Sequence, residues 1–253
     1  MKKKEEWKYL NKQWKKMRKQ FKNFIRSQSP EALHHFRVQV KKINSFLMLL
    51  EINKENDALK KTFKPVKKIF KSAGIIRNAF IHQKQAKEHH INMPQLLKEQ
   101  HALQENETNN FLSGQSNHLH KMKKAKKKLH DRLHAITSDE IKSFYTAQLY
   151  NTQQLLNRHR FDEQLHNGRK MLKHLLYNKP VLQNGLAKKI NIDFDFIDQL
   201  QQALGDWHDN KLALAFFSDK IAAGDLEPMN RKNRALQKAI TVKAKAFTEK
   251  AKA

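Results

Sequence analysis

The sequence predicts an all-α protein built from two related halves. Glycine and proline number only six and five in 253 residues, too few for a hairpin-rich β fold or a glycine-rich phosphate loop. Apolar residues recur at spacings of three and four along most of the chain, as they do on the buried faces of helices. One short pattern of cationic and apolar residues also occurs twice. Together these observations predict two helical bundles side by side.

The charge of the chain restricts its partners. The 51 Lys and Arg residues outnumber 24 Asp and Glu, which gives a formal net charge of +27. Such an excess favours polyanions, namely nucleic acid, an anionic membrane or polyphosphate. Cysteine is absent, which excludes disulfides and thiol nucleophiles and fits a reducing cytosol. We expect neither a signal peptide nor a membrane span, because no apolar run is long enough.

The first two helices are predicted from an apolar seam and a cap. Residues 2–28 carry a seam at alternating spacings of three and four, which is typical of bundle packing: Trp7, Leu10, Trp14, Met17, Phe21 and Phe24. Ser29 is expected to cap the second helix, with Pro30 in its first turn. That helix should end near Ile52.

The next predicted elements are separated by helix breakers. A third helix is expected over 57–72, kinked or divided at Pro65, and a fourth over 75–87, after Gly74. The polar segment 89–104 is the best candidate for a linker. We therefore place a first half at residues 1–105 and a second at 106–253.

In the second half, six helices are expected. Pro180 should end or bend one of them, Asn184-Gly185 predicts a turn, and Gly205 should separate two short helices. The predicted helices cover residues 107–136, 138–160, 162–182, 193–204, 208–223 and 229–251.

The second helix carries the most informative stretch of the chain. At about 100° per residue, its apolar stripe consists of Leu33, Phe36, Val40, Ile43 and Leu47. A second stripe, about a third of a circle away, consists of His34, Arg37, Lys41 and Ser45. The helix should therefore pack into a core and present cations beside it.

The same stripe returns 132 residues later, where His166, Arg169 and Lys173 occupy the positions of His34, Arg37 and Lys41. Downstream, the segments 73–78 and 204–209 correspond at an offset of 131, so one net deletion separates the two matches. Two motifs in the same order at nearly one spacing indicate two structurally related halves.

Arg37 and Lys41, like Arg169 and Lys173, are one helical turn apart, about 6 Å. Like charges at this spacing repel by a few tenths of a kcal/mol, so the stripe makes sense if a linear anion lies along it. The alternative, a solvated basic face, stays open. Further cations would extend the basic surface or be solvated: Arg18, Lys22, Arg26, Lys121, Lys124 and Lys128.

Three polar residues have more than one interpretation. His34 and His166 could donate to phosphate, form structural hydrogen bonds or ligate a metal, which would need further convergent ligands. Asp209 could orient a basic residue of the stripe or lie at a helix start, stabilised by the helix dipole.

The duplicated motifs resemble those of the CHAD family, the conserved histidine α-helical domain. That family has H-x-x-R-V-x-x-[KR]-[KR] followed about thirty residues later by G-x-x-R-D. The resemblance spans nearly the whole chain. It is carried in the first half by His34, Arg37, Val38, Lys41 and Lys42, and in the second by His166, Arg169, Lys173, Tyr177 and residues 205–209.

The resemblance implies two four-helix bundles and a basic channel that binds inorganic polyphosphate, and for many members an association with polyphosphate granules. The polyphosphate-binding residues that it implies, completed by neighbouring cations, are His34, Arg37, Lys41, Lys42, Arg77, His166, Arg169, Lys170 and Lys173, supported by Tyr177 and Asp209. The chain departs from the pattern where acidic or arginine residues are usual or frequent, at Asn44, Asn78, Leu176 and His208.

We expect a binding protein without catalysis, cofactor or metal. Phosphoryl hydrolysis usually needs a metal held by clustered carboxylates, and the nearest cluster, Asp193, Asp195 and Asp198, is typical of an amphipathic helix start. The alternative is a nucleic-acid binder that uses the same charges, although no binding motif is visible. A third candidate is an interaction of the first helix with an anionic membrane. The expected location is the cytoplasm, at polyphosphate granules.

Overall fold

The computed structural model describes residues 3–89, 91–158, 160–182 and 192–251, and confirms the all-α prediction for them. Nine α-helices lie in these ranges: α1 (Lys3–Ser27), α2 (Pro30–Leu50), α3 (Leu59–Glu88), α4 (Pro94–Ser113), α5 (Gln115–Arg132), α6 (Ser138–Leu156), α7 (Glu163–Asn178), α8 (Phe194–Phe217) and α9 (Ala223–Lys250). No helix of the described residues is both long and apolar enough to cross a bilayer.

The chain forms two compact units, Met1–Thr137 with α1 to α5 and Ser138–Ala253 with α6 to α9. The boundary expected between residues 105 and 106 lies inside α4 and is not where these units separate. The reason is that both α4 and α5 pack on α3 and bury Phe111 and Met122 in the core of the first unit.

The start of the first unit follows its sequence closely. The α1 seam is buried from Leu10 to Phe24, and Trp14 is completely inaccessible, so it offers no stacking surface to a base. The Ser29 hydroxyl accepts a hydrogen bond from the backbone N–H of Ala32 at 3.4 Å, and Pro30 begins α2. The predicted cap and helix start are confirmed.

In α3, the predicted division is wrong. The helix continues from Leu59 to Glu88 through both Pro65 and Gly74. A proline inside a helix costs about 3 kcal/mol, but α3 packs against α2, α4 and α5 and buries side chains such as Phe63 and Ile69 on either side of Pro65. Tertiary burial therefore outweighs the local preference.

The linker expected at 89–104 is also wrong, because α4 begins within it at Pro94. This helix buries only Leu96, Thr108 and Phe111, too few side chains to give a visible apolar stripe. The helix expected over 107–136 is instead divided at Gly114, between α4 and α5.

In the second unit, α7 begins after Asp162, whose carboxylate accepts from the backbone N–H groups of Gln164 and Leu165. It ends at Asn178, and Pro180 lies in the short 3₁₀ turn that follows, as predicted. By contrast, α8 runs through Gly205 without a break. Likewise α9 starts before Pro228 rather than after it. The turn predicted at 184–185 lies outside the described residues.

Candidate anion-binding sites

In the first unit, Arg37 of α2 is half-buried against α3. Its Nη1 donates to the backbone oxygen of Phe70 at 2.6 Å, and its Cζ lies 4.1 Å from the centroid of the Phe70 ring. Gly74, one turn beyond Phe70, leaves room for the guanidinium, because a Cβ at Gly74 would lie 2.7 Å from Arg37 Nη1. Three features of α3 thus fix the position of Arg37.

The electrostatic environment of Arg37 opposes its charge. Burial, and then the charge of Arg77, lower the pKa of Arg37 to about 10. Among the described residues Arg37 forms no ion pair with a carboxylate. Lys41 follows one turn later, with its Nζ 5.9 Å from the centroid of the Phe70 ring. A bound anion would offset both the cost of burying the Arg37 guanidinium and its repulsion by Arg77.

The second unit repeats the contact of Arg37 at the corresponding residues. Arg169 of α7 lies against α8, where its Nε donates to the backbone oxygen of Gln201 at 3.4 Å. A Cβ at Gly205 would lie 2.5 Å from Nη2 and 2.8 Å from Nε of Arg169. Gln201 and Gly205 follow Phe70 and Gly74 by 131 residues, so the repeat in the sequence corresponds to a repeated contact between arginine and a helix glycine.

The charges around Arg169 are mixed. Burial and the charge of Arg169 lower the pKa of Lys173, whereas the carboxylates of Asp209 and Asp198 act in the opposite direction. The charge of Asp209 therefore favours the charged form of Lys173, while the orienting role of Asp209 stays a prediction. The alternative, that Asp209 lies at a helix start, is wrong because α8 begins at Phe194.

The two predicted histidines have different surroundings. The ring of His166 stacks on that of His208, with centroids 3.6 Å apart and planes inclined by 19°. Burial lowers the pKa of His208, although the carboxylates of Asp209 and Glu163 oppose this shift. His34 is exposed on α2. No group of three or more His, Asp or Glu among the described residues could hold a metal ion.

The charge of Arg169 acts on Tyr177, whereas two predicted cations, Lys42 and Lys170, interact with other residues. Burial raises the pKa of Tyr177, and the charge of Arg169 opposes this shift. Lys42 is half-buried, and both burial and the charge of Lys16 on α1 lower its pKa. Lys170 is exposed and donates to Asn167 Oδ1 at 3.0 Å. Phosphate binding by Lys42 and Lys170 stays a prediction.

The cations expected to extend the basic surface fall into two separate grooves of the first unit. Arg18, Lys22 and Arg26 line a groove of about 810 Å³ along α1, with Lys126 of α5 on its other side. A second groove, of about 690 Å³, lies between α3 and α5 and contains Lys121, Lys124 and Lys128.

Three kinds of group at the candidate sites were not predicted from the sequence. Gly74 and Gly205 were interpreted as helix breaks, although their matching offset indicated a shared role. The backbone acceptors at Phe70 and Gln201 leave no signal in a sequence. The lysines that α3 contributes to the second groove recur with helical spacing, which was the available signal: Lys61, Lys64 and Lys68.

No curated protein and no solved structure matches the chain. The model of the CHAD domain does match it, over residues 8–218. This range contains both arginine and glycine contacts, and it covers most of both compact units. The chain belongs to the CHAD domain family.

Proposed function

We propose that this protein binds inorganic polyphosphate, without catalysing its turnover, at two sites centred on Arg37 and Arg169. The observation that carries the proposal is the half-buried arginine held over a helix glycine, with a lysine one turn away, in each unit. The proposal includes what the family resemblance implies, namely a pseudo-symmetric pair of bundles with a common basic channel, and a cytoplasmic location at polyphosphate granules.

The donor chemistry suits a chain of phosphates. A guanidinium has five N–H donors, and the bond from Arg37 to the Phe70 oxygen uses one of them, so a fork remains for phosphate oxygens. Lys41 adds a mobile point charge about one turn along the helix. A linear polyanion presents negative charge at each of these positions at once.

Specificity for polyphosphate over nucleic acid is tested by competition. Long-chain polyphosphate should displace a fluorescent DNA oligomer at a far lower phosphate concentration than DNA displaces labelled polyphosphate. Both polymers exploit the same net charge, but only a site shaped for bare phosphates prefers the first. Equal displacement in both directions would support the nucleic-acid alternative.

The site itself is tested by replacing Arg37, Lys41, Arg169 and Lys173 with Gln. Each lost charged contact is worth about 1.5–3 kcal/mol, so affinity should fall at least about a thousand-fold while helical content is retained. A control variant replaces four exposed lysines of α9, Lys232, Lys238, Lys245 and Lys250, and removes the same charge. An equal loss of affinity in the control variant would show that binding depends on net charge alone and not on the proposed sites.

The absence of catalysis is tested separately. Incubation of polyphosphate with the protein and Mg²⁺ should release no phosphate above the buffer level, because a binding site needs no activated nucleophile. Release that is abolished by replacing Asp198 or Asp209 would identify an enzyme instead.

A further inference from the structure

The groove between α3 and α5 concentrates positive charge away from the family motif. Seven of its eleven lining residues are cationic and none is acidic: Lys61, Lys64, Lys68, Lys121, Lys124, Lys128 and Arg132 are joined by Ala58, Thr62, Pro65 and Ala125. Like charges one helical turn apart repel one another, and a bound anion would offset this repulsion.

The groove is on the other side of α3 from the site of Arg37. At about 100° per residue, Lys68 points about 160° away from Phe70 and about 180° away from Arg77. Phe70 receives Arg37, and Arg77 acts on the pKa of Arg37. A ligand in the α3–α5 groove would therefore touch neither of the motif's arginines in this unit.

The two walls of the groove have the same spacing. On α3 the lysines follow each other by three and four residues, at Lys61, Lys64 and Lys68, and on α5 by three and four, at Lys121, Lys124 and Lys128. These steps correspond to rises of about 4.5 and 6 Å along each helix. Two rows of charge with this repeat suit an extended anion rather than a compact one.

The lining also indicates which polyanion it would be. It contains no aromatic side chain on which a base could stack, and no Asn or Gln that could read a base edge. Its charges are mostly lysines, which bind phosphate as point charges without fixed geometry. These features favour a phosphate polymer without bases.

We propose that the α3–α5 groove is an additional polyphosphate-binding site, independent of the duplicated motif. The identity of the ligand rests on the proposed function, whereas the location of the groove does not. Long-chain polyphosphate would occupy the groove as well as the motif sites, and it would protect the lysines of both from chemical modification.

The test uses the groove variant Lys64→Gln, Lys68→Gln, Lys124→Gln and Lys128→Gln in the full chain. All four side chains are exposed, so the variant should keep its helical content. Affinity for long-chain polyphosphate should fall about tenfold or more below that of the four-lysine α9 control, and the salt dependence of binding should become shallower by about two to four ions. Equal affinities of the groove and α9 variants would overturn the proposal.

A footprint on the wild-type protein locates the ligand directly. Acetylation of lysine amines, read by mass spectrometry, should be suppressed severalfold by polyphosphate at Lys64, Lys68, Lys124 and Lys128, and not at Lys232 or Lys238. Uniform protection of all lysines would refute the proposed binding site in the groove. Protection of the groove by DNA at a lower phosphate concentration would overturn the choice of ligand.

The two proposals fail in different ways. If the motif variant loses affinity and the groove variant matches the α9 control, only the groove is refuted. If the groove variant loses affinity and the motif variant binds like the wild type, the motif sites are refuted and the groove stands. If the wild-type protein does not bind polyphosphate, both are refuted.

Discussion

Replacing Gly74 with Ala tests whether a glycine in the middle of α3 exists to seat Arg37. An added Cβ would lie 2.7 Å from Nη1, 3.4 Å from Cζ and 3.5 Å from Nη2 of Arg37. The guanidinium is the end of a flexible side chain, so it would swing away while the helix backbone stays in place. The contacts of Arg37 with the Phe70 oxygen and ring would then be lost.

The magnitude follows from three opposing contributions. Ala in place of Gly stabilises a helix interior by about 1 kcal/mol. Loss of a hydrogen bond from a charged donor costs about 1.5–3 kcal/mol, and loss of the contact with the Phe70 ring about 0.5–1 kcal/mol. We expect the free energy of unfolding to fall by about 1–3 kcal/mol, although the substitution favours the helix.

Binding should respond more clearly than stability. Displacement of one guanidinium should weaken polyphosphate binding about tenfold to a hundredfold, measured by titration calorimetry or fluorescence at constant salt. Gly205→Ala should behave in the same way, because three atoms of Arg169 lie within 2.9 Å of the added Cβ.

Gly168→Ala on α7 is the matched control. Its added Cβ would meet only Leu155, at an ordinary contact distance of 3.7 Å, so the protein should gain up to about 1 kcal/mol without losing affinity. If Gly74→Ala also becomes more stable and binds polyphosphate as the wild type does, the glycine does not position the arginine.

Two further predictions concern pH and a buried amide. The pKa of His208 lies below its ordinary value of 6.5. As pH falls below about 6.5, the stability of the unliganded protein should decrease, because the unfolded state takes up the proton more readily. Polyphosphate affinity should increase over the same range, because a protonated His208 adds a positive charge to the site. Both trends should be smaller in His208→Gln and unchanged in His35→Gln, and identical pH profiles of all three proteins would contradict the assignment. Asn56 forms three hydrogen bonds, of 2.9 to 3.0 Å, that join the end of α2 to the segment after α5. Asn56→Ala should therefore lower the urea-derived stability by about 2–4 kcal/mol, whereas the exposed Asn117→Ala should change it by less than about 0.5 kcal/mol; similar losses would show that the amide is not a tertiary link.

The accuracy of the sequence predictions depended on how local the determining interactions are. The boundary between α1 and α2 was predicted because Ser29 and Pro30 act on their own helix. The continuity of α3 and α8 was not predicted because a glycine in the sequence resembles a helix break. Gly74 and Gly205 instead leave room for an arginine of a neighbouring helix, and that contact is not visible in the sequence.

The candidate sites show the same limit. Duplication identified Arg37 and Arg169, because repeated chemistry in register is visible in a sequence. The duplication did not show that Lys42 has a different neighbour, namely Lys16 of α1. The side of α2 that faces α1 is known only once the position of α1 is known. The α3–α5 groove could not be predicted because its two walls are about sixty residues apart in the chain, and the sequence does not show that they pack together.

The two arginine sites differ in the charge that surrounds the common contact. The first has Arg77 and Asn78 where the second has His208 and Asp209. At neutral pH the first site therefore has an additional permanent cation, while the second has a carboxylate and a histidine whose pKa is below its ordinary value. Asp209 partly opposes the lowering of the pKa of Lys173 by burial and Arg169, but its negative charge also repels an approaching anion. The contact between an arginine and a helix glycine is therefore common to both units, whereas the surrounding charges differ. If both sites bind anions as proposed, we expect the first to bind more strongly above the pKa of His208 and the second to gain affinity as pH falls.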